Sequence, residues 1–414
     1  MTEQTESLTF TNKTQTGITI TLGLSILLAS LGTSIVNIAL PTLAEVFLLP
    51  FIQVQAVVIG YLISLTITVV IAGRLGDRYG CKSMLIVGLV IFSLASLLCS
   101  VAPSLWILVA ARSFQGIGAA FLMTLAMTLA MALTRQTVSK SQLGRAMGML
   151  GTISALGTAL GPVLGGFLLV VSGWQSIFGL QFVLAGIAII LAWVLLPNDC
   201  IKKEISAPTS LQPDQNIVPN LLVNLLVAAV MMSTLVIGPF YLSLGLSLDQ
   251  IQVGLIMGIG PVVAILSGIP SGRLVDCWGS RYIVTIGLIF LIIGSFMLAI
   301  VPKLMGISGY ILAIIILTLG YQLFQAANNT MTLADVPKAR QGVVSGLLSL
   351  SRNMGLIIGA SVMGAIFSFG VGTNQFNQAT ALEIIDGMQF TFLCAGALMI
   401  VGLLISCVSF RRQY

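Results

Sequence analysis

Long apolar runs follow one another along this chain, separated by short polar connections. The runs cover 16–40, 53–73, 83–102, 105–133, 144–171, 175–197, 218–245, 250–271, 281–301, 308–333, 342–369 and 387–410. A helix needs about 20 apolar residues to cross the hydrocarbon core of a bilayer. The pattern therefore predicts twelve transmembrane helices. Residues 1–15 are polar, carry Lys13, and read as an N-terminal tail. They are too polar for the hydrophobic part of a signal peptide, and 16–40 is too long for one, so that run reads as a retained span. The longest polar segment, 198–217, holds Lys202, Lys203, Glu204, Pro208, Pro213 and Asp214. It reads as a linker with little structure. The expected organisation is a helical bundle over 16–197, this linker, a second bundle over 218–410, and a short tail at 411–414.

Composition narrows the class. The chain of 414 residues is 57% hydrophobic and 7% charged, where a soluble domain carries about 25% charged residues. Too few polar residues exist to cover a water-facing surface. Disorder needs low hydrophobicity. An outer-membrane barrel alternates polar and apolar residues within short strands. An all-α polytopic membrane protein remains.

Charge sets the orientation. Of the 18 Lys and Arg, Lys303 alone falls in a connection on one side, and Arg112 and Arg352 fall inside runs. The other 15 lie on the side of both termini, which the positive-inside rule places in the cytoplasm. The basic balance is thus a product of topology and gives no reason to expect nucleic acid as a partner. The six cysteines lie in runs or cytoplasmic connections without metal-ligand spacing and read as apolar fillers or reduced thiols. No metal and no cofactor is expected.

The two halves repeat. Residues 73–82 read GRLGDRYGCK and residues 272–281 read GRLVDCWGSR. Gly73, Arg74, Leu75, Asp77 and Gly80 match Gly272, Arg273, Leu274, Asp276 and Gly279 at a shift of 199. In the fifth helix of each half, Gly144, Gly148, Gly157, Gly161 and Gly166 match Gly342, Gly346, Gly355, Gly359 and Gly364 at a shift of 198. Such coincidence argues for an internal duplication. Parallel halves place a pseudo-two-fold axis along the membrane normal and a substrate site near the midplane between them, exposed to each side in turn.

Individual residues carry the candidate mechanism. In the loop, glycines allow a tight reversal, and Asp77, beside Arg78, can accept backbone N–H bonds at a helix start or pair with an arginine. In the fifth helix, Gly157, Gly161 and Gly165 are four apart and form a flat strip that lets a neighbouring backbone approach. Pro162 can bend that helix. Gly254, Gly258, Gly260 and Pro261 offer a matching strip in the eighth. Arg112 lies about 12 Å inside the fourth helix at 1.5 Å per residue. There it either faces a polar interior or snorkels to the interface.

These motifs resemble those of the major facilitator superfamily. The loop is similar to the signature between its second and third helices. Gly148, Gly157, Gly161, Pro162, Gly165 and Gly166 fill every position of the antiporter signature of the drug-efflux branch. Ala360 and Met363 break it in the second copy. Leu108, Arg112, Gln115, Gly116 and Gly118 resemble the family's arginine motif. LGTSIVNIALP at 31–41 and Arg352, Asn353 and Gly355 resemble the fourteen-helix drug antiporters, but Gly32 stands where that motif has an acid. The resemblance implies a twelve-helix, monomeric drug:proton antiporter in the bacterial plasma membrane. Its cavity would be lined by the first, fourth, seventh and tenth helices. It also implies a proton as coupling ion, although none of the twelve acids sits at the centre of a run and the chain has no histidine.

Candidate cavity residues are Asn37, the methionines Met123 and Met127, Tyr241, the helix-10 set Tyr321, Gln322, Gln325 and Asn329, and Arg352. Methionine and aromatic side chains adapt to varied apolar ligands, while packing or lipid contact would use the same residues. The expected function is export of small, largely apolar molecules. One alternative is export of a single metabolite or organic anion using Arg112 and Arg352. Another is a membrane-embedded enzyme or a sensor, but the chain lacks histidine, a metal set and clustered intramembrane acids.

Overall fold

The computed structural model describes residues 12–137, 140–196, 217–334, 336, 341–373 and 376–411, and among these no strand occurs. Among the described residues, eleven helices are long and apolar enough to cross a membrane. In chain order they are α1 (Gly17–Phe47), α2 (Phe51–Tyr79), α3 (Cys81–Ser100), α4 (Leu105–Leu129), α6 (Gln175–Leu195), α7 (Val218–Gly245), α8 (Gln250–Trp278), α9 (Ser280–Met305), α10 (Ile307–Ala334), α11 (Val344–Val371) and α12 (Ala381–Ser409). Between α4 and α6 stands α5 (Lys140–Ser172), whose described apolar stretch is Leu156–Ser172. The expected linker, except Ile217, lies outside the described residues, as do residues 1–11. Residues 12–15, expected in a tail, instead belong to a helix that starts at Asn12 and leads into α1.

The helices present large apolar side chains outward, among them Trp193 (71% exposed), Leu266 (71%) and Phe369 (78%). Lipid is the solvent those faces suit. In lipid, helix association rests on close packing and interhelical hydrogen bonds more than on apolar burial, and the glycines supply that closeness. A Cβ on Gly157 would lie 2.8 Å from Leu27 O and 2.9 Å from the Ser30 side chain, both in α1. A Cβ on Gly355 would lie 2.3 Å from Leu225 O and 2.7 Å from Ala228 Cβ, both in α7. Leu27 and Leu225, like the two glycines, are 198 residues apart. The duplication read in the sequence is therefore a duplicated helix contact, α5 on α1 and α11 on α7.

α1 is not continuous. Its helix ends at Ser34, a 3-10 turn covers Asn37–Ala39, and helix resumes at Leu40–Phe47. Pro41 accounts for the break, because its ring lacks an N–H and collides with the carbonyl four residues back, that of Asn37. At the loops, Gly80 (φ 96°) and Gly279 (φ 83°) end α2 and α8 and open α3 and α9. Those angles suit only glycine. Gly73 and Gly272, expected to serve the same reversal, lie inside helices. Gly73 meets only Thr124 Cγ2 at 3.8 Å, and nothing lies within 4 Å of a Cβ on Gly272.

Candidate functional site

Arg112 is 1% exposed and does not snorkel. Its Nη2 donates to Gly32 O at 2.9 Å, its Nε to Val57 O at 3.4 Å, and its Nη1 to Gln115 Oε1. The guanidinium carbon sits 4.1 Å from the centre of the Tyr61 ring, a cation–π contact. Gly32 lies in the last turn of the helix that ends at Ser34, where carbonyls lose their partners along the chain. The helix end at Ser34 thus leaves an acceptor where Arg112 can use it. Gln115 Nε2 continues the network to Ser96 Oγ (2.7 Å) and Gln181 Oε1 (2.6 Å). One cation therefore ties together α1, α2, α3, α4 and α6. Gly116 allows the approach of α2, since a Cβ there would fall 2.3 Å from Tyr61 O.

The glycine strip of α5 faces a different partner from the one expected. A Cβ on Gly161 would strike Ser34 Oγ at 2.0 Å, and one on Gly165 would lie 2.6 Å from Ile38 Cγ2. Gly157, Gly161 and Gly165 therefore pack on α1, not on α8. Gly254 and Gly258 of the α8 strip meet the adjacent face of α5, whereas Gly260 faces Ile314 and Thr318 of α10. Gly254 lies 2.5 Å, Cβ to oxygen, from Pro162 O, Gly258 lies 2.7 Å from Val163 Cγ2, and Gly166 lies 2.4 Å from Gln250 O. Of Gly148 the structure describes the helical backbone alone.

A second junction between the halves involves α11 and α2. A Cβ on Gly364 would overlap Gln55 Nε2 at 1.6 Å. Gly364 is the repeat of Gly166, so the last glycine of each repeated set seats a contact with the opposite half. Beside it, Phe51 inserts among Phe240, Phe367 and Phe376, with ring centroids 4.7, 5.9 and 4.8 Å away. All four rings are buried. This cluster closes the end of the bundle opposite the termini. Two π-helical segments adjoin it, Tyr241–Gly245 and Gly359–Met363. Such segments mark local loosening of a helix. Sequence patterning missed the cluster, because four phenylalanines spread from 51 to 376 carry no periodic signal.

The remaining candidates separate. Asn37 is fully buried in the α1 break. Its Nδ2 donates to Thr33 O at 3.1 Å, while its Oδ1 has no partner. In α10, Gln325 Nε2 donates to Tyr321 Oη at 3.0 Å, and Gln325 Oε1 and Asn328 Nδ2 are buried without partners. Gln322 is half-buried and Asn329 exposed, as are Met123 and Met127 (half-buried) and Arg352 (exposed). Tyr241 is a correction. It stacks on Tyr310 at 5.7 Å and donates to Pro302 O at 3.2 Å, so it packs within the second half and is not offered to a cavity.

Asp77 and Asp276 sit in the last turns of α2 and α8, not at helix starts. Both are exposed. The ion pair among the described residues is Lys303–Asp386 at 2.8 Å, so the expected pairing of Asp77 with an arginine does not occur there. Acids near a helix C-terminus oppose the helix dipole. No group of three metal-ligating residues occurs among the described residues.

Known proteins share the family and the fold. A sequence profile of the Major Facilitator Superfamily matches residues 22–360. The riboflavin transporter RibZ of Clostridioides difficile (strain 630) is 26% identical over 443 residues, 94% of this chain and 96% of that protein. The methylenomycin A resistance protein of Bacillus subtilis (strain 168) is 33% identical over 186 residues, 45% of this chain and 39% of that protein. A crystal structure of a bacterial homolog to the human lysosomal transporter Spinster, inward-facing and occupied, shares the fold. Its TM-score is 0.81 at 14% identity, over 97% of this chain and 98% of that one.

Proposed function

The chain belongs to the Major Facilitator Superfamily, and from that premise we propose that it exports small, largely apolar organic molecules by alternating access. It is a multi-pass plasma-membrane transporter and not an enzyme. In the proposed topology twelve spans form two six-helix bundles, over 16–197 and 218–410, with both termini in the cytoplasm and a single chain as the working unit. The phenylalanine cluster then seals the outer side, and substrate enters from the cytoplasm. The observation that carries this reading is the α5 seam. Gly161 and Gly165 bring α5 onto α1, and Gly166 brings it onto α8 of the other half, at backbone contact. A rocking motion about that seam needs surfaces this smooth. Support for an adaptable, largely apolar ligand comes from the neutral polar groups of α10 and the half-buried Met123 and Met127. The resemblance to resistance proteins implies proton antiport.

A second reading is transport of riboflavin or a similar planar heterocycle. The match to the riboflavin transporter spans nearly the whole chain, whereas the resistance-protein match spans less than half. Amide groups on half-buried Gln322 and exposed Asn329 suit the N–H and C=O groups of such a ring system. The organic-anion alternative loses support, because Arg112 is buried and its donors face neutral acceptors inside the first bundle. Flux of ethidium and of riboflavin through purified protein in liposomes tests both readings. Ethidium movement alone favours the apolar exporter, and riboflavin movement alone favours the second.

A further inference from the structure

Arg112 is a full positive charge inside the membrane with no carboxylate against it. Its partners are two backbone carbonyls, a glutamine and an aromatic ring. The titratable groups within electrostatic reach are Tyr61 on α2 and Cys99 on α3. Neither carries the readily exchanged proton of a carboxylic acid, and α1 and α6 face Arg112 with Gly32 and Phe178, which do not titrate. The space where a side chain at position 32 would begin is occupied, since a Cβ there would lie 2.9 Å from Tyr61 Oη. That hydroxyl itself donates to Ala29 O at 3.0 Å.

The acids lie elsewhere. Glu45, Asp77, Asp249, Asp276, Glu383 and Asp386 are all exposed. Three have local structural work. Asp249 accepts from Gln252 N at the start of α8, Glu383 accepts from Thr380 N at the start of α12, and Asp386 pairs with Lys303. The other six of the twelve acids fall outside the described residues, and the sequence places none of them inside an apolar run. Coupling to a proton gradient needs a group that takes a proton from one side and releases it to the other. A guanidinium cannot serve, because it keeps its proton at any relevant pH.

We propose that this chain moves its substrate without exchanging a proton on its own side chains: Arg112 is a fixed cation neutralised by backbone and amide dipoles, and the substrate's own electrochemical gradient drives transport. This rests on the reading of the chain as a small-molecule transporter and replaces the proton antiport that the resemblance implies.

The test needs no ligand. Leu48 (83% exposed) and Leu382 (66% exposed) stand on opposite halves at the sealed end and accept spin labels. They are replaced by cysteine in full-length protein in liposomes, with Cys200, Cys277, Cys394 and Cys407 changed to alanine. Distance distributions are then compared between about pH 5.5 and about pH 8, the window where shifted carboxylates exchange protons. A coupled site would change the ratio of closed to open populations by about 5- to 150-fold. The proposal expects no shift, and a pH-dependent shift in this protein overturns it.

Flux of ethidium and riboflavin is measured alongside. Movement driven by a pH gradient at equal probe concentrations, with the membrane potential clamped at zero, also overturns the proposal. Absence of movement for both probes counts against the substrate reading, while the spin-label distances still decide whether protonation shifts the conformation.

Discussion

Arg112 Nη2 meets the carbonyl oxygen of Gly32 at 2.9 Å, joining the fourth helix to the broken end of the first. The contact exists because the first helical segment of α1 ends at Ser34, and the missing Cβ at position 32 leaves room for the Tyr61 hydroxyl beside it. Arg112→Ala strands the acceptors Gly32 O, Val57 O and Gln115 Oε1 inside the bundle. Each unmade buried hydrogen bond costs about 1–3 kcal/mol. The expected outcome is inserted protein with a lowered melting temperature and severely reduced flux. Arg112→Lys recovers part of both, since a compact ammonium cannot span acceptors on two helices. Thermal unfolding in detergent together with liposome flux checks this. An alanine variant with wild-type stability and flux would mean the network is ornamental.

Phe51→Ala removes the ring that plugs the far-end cluster. Truncating a buried phenylalanine costs about 3–5 kcal/mol, and here the loss falls on the sealed state. Gln55, 2% exposed beside the plug, reports opening when replaced by cysteine. Its labelling by an impermeant thiol reagent from outside should rise by at least about tenfold when Phe51→Ala is added, tenfold being about 1.4 kcal/mol. Equal labelling rates with and without the ring would show that the cluster is not a gate.

Gly161→Leu drives a side chain into Ser34 and Ile35 and should block transport, at a packing cost of about 1–3 kcal/mol. Gly186→Ala is the control, since nothing lies within 4 Å of a Cβ there. Cysteines at Val163 and Gly258 should crosslink in the resting protein. Cysteines at Gly157 and Gly258 should not, because Gly157 faces α1. Crosslinking of the second pair alone would restore the α5–α8 orientation expected from sequence.

The helices, the duplication and the α5 glycines were legible in the sequence because each is periodic or repeated. Which neighbour the glycine strip meets was not. The glycines of α8 offered the visible match, and the difference lies in which face of α5 turns inward. Arg112 was legible as an anomaly, but its acceptors were not, since two are backbone carbonyls with no sequence identity. Tyr241 was misplaced because an aromatic on a cavity helix can equally pack sideways, and its hydroxyl finds Pro302 O in α9. The phenylalanine plug needed the three-dimensional arrangement, as its four rings come from distant parts of the chain.

The two kinds of loop glycine should behave oppositely. Gly80→Ala places a side chain at φ 96° and should destabilise by about 1–3 kcal/mol. Gly73→Ala lies inside α2, where a Cβ makes only an ordinary contact with Thr124 Cγ2, and should stabilise by up to about 1 kcal/mol. Melting temperatures of the two variants distinguish the cases, and a destabilised Gly73→Ala would show that this position meets a partner in another state. Asp77→Asn and Asp276→Asn, both at exposed and unbonded sites, should leave stability unchanged. An effect on flux in either one would therefore report on the transport cycle, and Asp77→Asn, in the copy that keeps Arg78 and Lys82, is expected to show the larger loss.

The claim that this chain is a small-molecule transporter working by alternating access is tested most directly by flux through purified protein in liposomes loaded with ethidium or riboflavin. Wild-type protein should move at least one probe down its gradient faster than protein-free liposomes, and Gly161→Leu at equal protein density should not. If neither probe moves, or if Gly161→Leu moves a probe as fast as the wild type, that claim is contradicted.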